Sequence, residues 1–124
     1  MLNSQRVVAF VSTTSPDRAR SFFRDTLGLK LMSEDGFALV FDSNGTMLRV
    51  SITRELTPAQ FTVLGWDVDD IDVEMDALLK AGVVFERYDF PGQDERGVWT
   101  APGGVKVAWF KDPDANILSL SQHG

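Results

Sequence analysis

One order of elements occurs twice along this chain, and that repetition limits the possible folds more than any other feature. Val8 and Val63 each stand seven residues before a helix-capping candidate, Ser15 and Asp70. Leu27-Gly28-Leu29 then matches Ala81-Gly82-Val83 where the two predicted helices end. Matching start and stop signals in one order are the mark of an internal duplication.

Each copy reads as strand, helix and a meander of three strands. Arg6 to Ser12 alternates as a strand, with Val7, Ala9 and Val11 on one face and Val8, Phe10 and Ser12 on the other, and both faces are expected to be buried. Ser15 and Pro16 suit the start of a helix, which Ala19, Phe22, Phe23 and Leu27 continue until Gly28 ends it, giving a helix over about 16 to 27. Strands follow at Leu29 to Ser33, Phe37 to Phe41 and Met47 to Thr53, the last two joined by the hairpin signal Asn44-Gly45. The second copy places strands at Thr62 to Val68, Val83 to Tyr88, Lys106 to Phe110 and Ile117 to Ser121, with a helix from Asp70 to Gly82. Module 1 thus covers about 6–55, a linker about 56–61 and module 2 about 62–122. Residues 89–104, long and containing glycine and proline, are a candidate lid.

With 124 residues, the chain is long enough for one globular domain with a real core. No apolar run approaches bilayer length and the first residues lack the layout of a secretory signal, so no membrane partner and a cytoplasmic location are expected. A net charge of −6 disfavours nucleic acid and anionic surfaces and favours cationic or neutral small molecules, although such acidity also serves solubility alone. The absence of cysteine removes thiolate nucleophiles, thiolate metal sites and disulfides.

The segment Phe22-Phe23-Arg24-Asp25-Thr26-Leu27-Gly28-Leu29 resembles the FYRDxLGL helix end of the vicinal oxygen chelate superfamily, and Asp112-Pro113-Asp114-Ala115-Asn116 resembles its DPDGN turn. That superfamily includes glyoxalase I, extradiol dioxygenases and bleomycin- or fosfomycin-resistance proteins. The resemblance spans roughly residues 6 to 121. It implies an α+β fold of two tandem βαβββ modules whose curled mixed sheets form half-barrels around a cleft, and it implies a homodimer. It also implies metal ligands at the positions occupied here by Val8, Arg49, Val63 and Ser119. Two valines carry no donor, Arg49 is a permanent cation and Ser119 has a neutral hydroxyl, so no metal and no other cofactor is expected.

Strand alternation places Ser12, Met47, Arg49, Ser51, Asp67, Ser119 and Ser121 on the concave faces. Arg49 is a candidate for holding a ligand's carboxylate, phosphate or enolate oxygen, against the plainer reading of a salt bridge to Asp67 or a glutamate. Asp67 is the candidate general base, with a neutralised strand-end carboxylate as the alternative. His123, next to the last residue, reads as a tail, which leaves the serines without an activating histidine. Trp66 reads as core, Trp109 as core or pocket wall, and Trp99 as a loop aromatic available to a planar or cationic ligand. Arg87 and Arg96 could close on an anion or simply be solvated. The candidate ligand-binding set is therefore Val8, Phe10, Ser12, Arg49, Val63, Asp67, Trp99, Trp109 and Ser119. The leading function is metal-independent small-molecule binding, with drug sequestration as its narrower form. A lyase, isomerase or dioxygenase-like enzyme with an atypical site and a degenerate interaction module are the alternatives.

Overall fold

A computed structural model describes residues Met1–Gly124, which fall into two compact units, Met1–Thr57 and Pro58–Gly124. Each unit holds one four-stranded mixed sheet that is open at both edges, so the α+β class and the repeated module are as expected. No helix is long and apolar enough to cross a membrane.

In the first unit the elements are β1 (Val8–Thr13), α1 (Pro16–Arg20), β2 (Lys30–Glu34), β3 (Ala38–Ser43) and β4 (Thr46–Ile52). The sheet order is β1-β4-β3-β2, with β1 parallel to β4 and the other pairs antiparallel. The helix has the expected extent but not the expected pitch, since Ser21–Thr26 continues α1 as a π-helix in which the Leu27 N–H donates to the Phe22 carbonyl at 2.9 Å. Gly28, at φ +78°, then lets the Leu29 N–H return to the Phe23 carbonyl. Phe23 is fully buried against Phe41, with ring centroids 5.7 Å apart. Arg20 clamps the helix to β2 through a bidentate contact with Glu34, at 2.9 and 2.6 Å.

The registers sort this sheet into two faces. Val11, Leu48, Val50, Leu39 and Phe41 are buried on the helix side. Val8, Phe10 and Ser12 lie opposite Met47, Arg49 and Ser51 on the other, which we call the open face. The expectation that β1 is buried on both faces is therefore corrected: Val8 is 39% and Phe10 60% exposed, because only one face of the sheet has a helix to cover it.

In the second unit β5 (Thr62–Asp67) leads to α2 (Ile71–Lys80), then β6 (Trp99–Thr100), β7 (Lys106–Lys111) and β8 (Ile117–Gln122), in the order β5-β8-β7-β6. Asp70 caps α2 by accepting the N–H groups of Asp72 and Val73. Ala108, Phe110, Leu118 and Leu120 form the buried face, with a half-buried Trp66 stacked on Phe110. Trp109, Val107, Ser119, Ser121, Gly65 and Asp67 share the open face. The strand expected over Val83 to Tyr88 is reduced to one bridge, Phe85 to Phe110, and the edge of β7 is finished instead by β6. Chain geometry explains the substitution. Gly97, at φ +97°, lies so close to Glu86 that a Cβ there would stand 2.9 Å from the Glu86 carbonyl oxygen, and the segment leaves the sheet and returns thirteen residues after Glu86 as Trp99.

The turn between β7 and β8 holds Ala115 at φ +67°. A Cβ in that region costs about 1–2 kcal/mol, whereas glycine there costs about 0.4–1 kcal/mol through greater freedom of the unfolded chain. Ala115 is exposed and has little contact to lose, so Ala115→Gly is expected to stabilise the fold by about 0.5–1 kcal/mol and to raise Tm by about 2–5 °C. Thermal melting measures it. A lower Tm would mean that the alanine methyl makes contacts stronger than the strain it causes.

Candidate aromatic pocket

A pocket of about 370 Å³ opens at one end of the second unit's open face, a size suited to a small organic molecule. Its floor is Trp109 of β7 beside Ile117 of β8, and Thr62, Phe61, Tyr88 and Phe90 wall it. The indole is fixed: its N–H donates to the Thr62 hydroxyl at 3.1 Å, and Tyr88 and Phe90 meet it edge-on, each with centroids 5.6 Å away. Trp99 backs the cluster, 6.3 Å from Trp109 and 6.1 Å from Phe90. Such contacts favour edge-to-face geometry and hold the Trp109 ring in one orientation.

The loop that carries Tyr88 and Phe90 is organised by one amide. Gln93 accepts the N–H groups of Tyr88 and Asp89 and donates to the carbonyls of Glu86 and Gly97. Arg96 reaches out of the same loop to Asp72 and Asp76 on α2, at 3.2 and 2.7 Å, while Arg87 donates to the Glu95 carbonyl. Both arginines thus buckle the loop to its own unit. The segment expected as a lid is in this structure a braced wall.

Charge in the pocket is sparse. Lys111 is its only ionised lining residue, with Gln60 and Thr62 as neutral polar groups. Burial first, and the charge of Glu86 second, push the Tyr88 phenol above its ordinary range, so it stands as a neutral O–H donor at physiological pH.

Of the candidates, Trp109 lines the pocket and Trp99, expected in a loop, is β6 and supports it. Ser119 is buried on the same open face, opposite Trp109 on one side and Gly65 on the other, where a side chain on Gly65 would collide with the Ser119 hydroxyl. Val63 sits at a register shift in β5 and is 39% exposed. Asp67 lies two residues beyond Gly65, paired in register with Ser121, and its close partner is the imidazole of His123 at 3.1 Å, not an arginine. The tail reading of His123 is corrected by that contact. Val8, Phe10, Ser12 and Arg49 lie on the open face of the first unit, Arg49 between Phe10 and Val40. Within its own unit no carboxylate stands at ion-pair distance from Arg49. Asp35, held low chiefly by N–H groups of Phe37 and Ala38, feels its charge as a smaller effect.

Lining residues missed from sequence include Phe61, Tyr88, Phe90 and Lys111, which belong to a linker, a truncated strand, the loop after it and a strand end. Large aromatics spaced Tyr88-x-Phe90 in a polar loop were the available signal. At the positions that the sequence resemblance marks for metal ligands, Val8, Arg49, Val63 and Ser119 offer no carboxylate, imidazole or thiolate, and no three His, Cys, Asp or Glu side chains are grouped to hold an ion. Neither Val8 with Arg49 nor Val63 with Ser119 fits a divalent metal.

No protein-family model matches the chain, and no curated protein matches it. Solved structures do. A member of the glyoxalase/bleomycin resistance protein/dioxygenase superfamily from Sphaerobacter thermophilus matches with a TM-score of 0.75 at 19% identity, covering 99% of this chain and 100% of that one. A lactoylglutathione lyase from Agrobacterium tumefaciens matches with a TM-score of 0.75 at 16% identity, over 96% and 93% of the two chains. The fosfomycin resistance protein FosX from Listeria monocytogenes matches with a TM-score of 0.74 at 11% identity, over 98% and 94%. The fold is therefore that of the glyoxalase/bleomycin resistance/dioxygenase superfamily, as the two motifs imply.

Proposed function

We propose that this chain, built on the glyoxalase/bleomycin resistance/dioxygenase fold, is a metal-independent binding protein for small planar aromatic molecules, with drug sequestration as the narrowest form of that role. The observation that carries the proposal is the fixed Trp109 ring at the floor of an open pocket walled by Tyr88, Phe90 and Phe61. Large aromatic surface left in contact with water is costly, and a ligand ring stacking on it removes that cost.

Electrostatics narrow the ligand. The whole chain is acidic, but that charge is spread over its surface and screened beyond about 8 Å at physiological salt. Lys111 is at contact range and dominates there, so an aromatic bearing a carboxylate or acidic hydroxyl is preferred over an aromatic cation. Titrating tryptophan fluorescence with 1-naphthoate and with 1-naphthylmethylammonium tests this with one ring and two charges. The naphthoate is expected to bind several-fold more tightly, and Lys111→Ala to bring the two together. Quenching by neither compound overturns the binding role, and equal or tighter binding of the ammonium overturns the assignment to Lys111.

A homodimer accompanies the proposal, since β1, β2, β5 and β6 are the edge strands of two open sheets. Light scattering on the purified chain tests it: a monomeric mass at micromolar concentration rejects it.

A further inference from the structure

Polar groups of the aromatic pocket stand at the two ends of one row of the second sheet. Ile117 of β8 pairs in register with Thr62 of β5 on one side and Lys111 of β7 on the other, and all three line the pocket. Two strand spacings put roughly 9–10 Å between the Cα atoms of Thr62 and Lys111. The Trp109 ring crosses that interval: it is rooted in β7, two residues before Lys111, and its N–H reaches the Thr62 hydroxyl on the far side of β8. A ligand ring stacked on the indole therefore has Lys111 toward one end and Thr62 toward the other.

Both ends offer donors. The Lys111 ammonium has three N–H groups and no ion-pair partner within its unit. Thr62 Oγ1 already accepts the Trp109 N–H at 3.1 Å, so what the hydroxyl has left to give is its own proton, which no acceptor in the unit takes. Accepting the indole N–H polarises the hydroxyl and makes that proton a better donor. The β-branched side chain has few rotamers, which keeps the group in place. Water satisfies such a donor in an open pocket, whereas a ligand that covers it with carbon leaves it unpaired.

We propose that Thr62 sets the specificity of this pocket, whose ligands are aromatic acids carrying a second oxygen acceptor at the end of the ring system opposite the carboxylate. The carboxylate lies at Lys111, and an ether, carbonyl or phenolic oxygen accepts the Thr62 proton. The proposal rests on the reading that the pocket binds aromatic molecules, and adds which substituents it selects.

The test is calorimetric titration of the full chain with 2-naphthoate, 6-methoxy-2-naphthoate and 6-ethyl-2-naphthoate. The two 6-substituents match in size and differ in one oxygen. Ethyl is the more apolar, so a pocket wall without a donor prefers it, and a preference for methoxy reports a hydrogen bond. The methoxy acid is expected to bind about fivefold more tightly than the ethyl acid, the usual yield of one neutral hydrogen bond. Thr62→Val keeps the shape and should reverse that order, while Thr62→Ser should preserve it. Thr62→Val also frees the indole N–H, and 2-naphthoate, which has no 6-substituent, measures that separate effect on stacking. Binding of 2-naphthoate by the parent, with the ethyl acid bound as tightly as the methoxy acid or more so, overturns the role of Thr62 and leaves the aromatic pocket standing. A methoxy preference that persists in Thr62→Val overturns it too. Binding of none of the three acids removes the aromatic reading itself, and the selectivity with it.

Discussion

Trp109→Ala is expected to weaken 1-naphthoate binding by about 2 kcal/mol, roughly 30-fold, which is the cost of truncating a buried aromatic anchor at the centre of a site. The substitution removes the floor of the pocket and also the partner that Tyr88 and Phe90 meet edge-on and Trp99 backs. Trp109→Phe separates these effects. A phenyl ring keeps a stacking surface and the edge contacts, but it loses the bond from the indole N–H to Thr62 that sets the ring's angle. An intermediate loss of about three- to tenfold is expected for it. Fluorescence of the remaining Trp66 and Trp99, or calorimetry, measures both variants, and circular dichroism confirms that each is folded. Unchanged affinity in Trp109→Ala would remove this pocket as the binding site.

How far the sequence discloses this site depends on the kind of signal each residue sends. The duplication, the helix starts after Ser15 and Asp70, of which Asp70 alone caps with its side chain, and the turn at Asp112 to Asn116 are local, because a helix start or turn is decided by a few adjacent residues. The faces of β1, β4, β5, β7 and β8 follow from alternation, which is why Val8, Phe10, Ser12, Arg49, Asp67, Ser119 and Trp109 are found on open faces. Burial does not follow from alternation. Phe10 looks like core in sequence, yet no helix covers its side of the sheet. The pocket's other walls depend on contacts that alternation cannot supply. Tyr88 and Phe90 are held by Gln93, whose amide bonds are legible only once residues 86 and 97 are known to be neighbours. His123 is the sharpest case, since end position suggests mobility while Gln122, the residue before it, accepts the N–H of Ile71 at the start of α2.

Asp112→Ala is expected to destabilise the chain by about 3 kcal/mol. Asp112 is 6% exposed, and one of its oxygens accepts the N–H groups of Asp114 and Asn116, both at 2.9 Å, while the other accepts the Asn116 amide at 2.8 Å. Alanine leaves three donors without that acceptor in a turn closed by the Asp112 N–H to the Asn116 carbonyl, and each unsatisfied buried group costs about 1–3 kcal/mol. The loss of an unfavourable buried charge offsets part of this. Burial is the larger influence on the carboxyl and raises its pKa, against the lowering effect of those same hydrogen bonds. The sign of the pH dependence follows. A carboxyl whose folded pKa lies above the unfolded value contributes stability that is present below the unfolded value, about 3.9, and is lost as pH rises through the folded one. Asp112→Asn keeps an oxygen for the two backbone N–H groups and has no proton to lose. Relative to the parent it should therefore gain stability as pH rises above about 3.9, while Asp112→Ala stays below both throughout. Urea unfolding at several pH values measures the differences. A gap between Asp112→Asn and the parent that widens against the asparagine as pH rises would show instead that the ionised carboxylate is what the turn is built to hold.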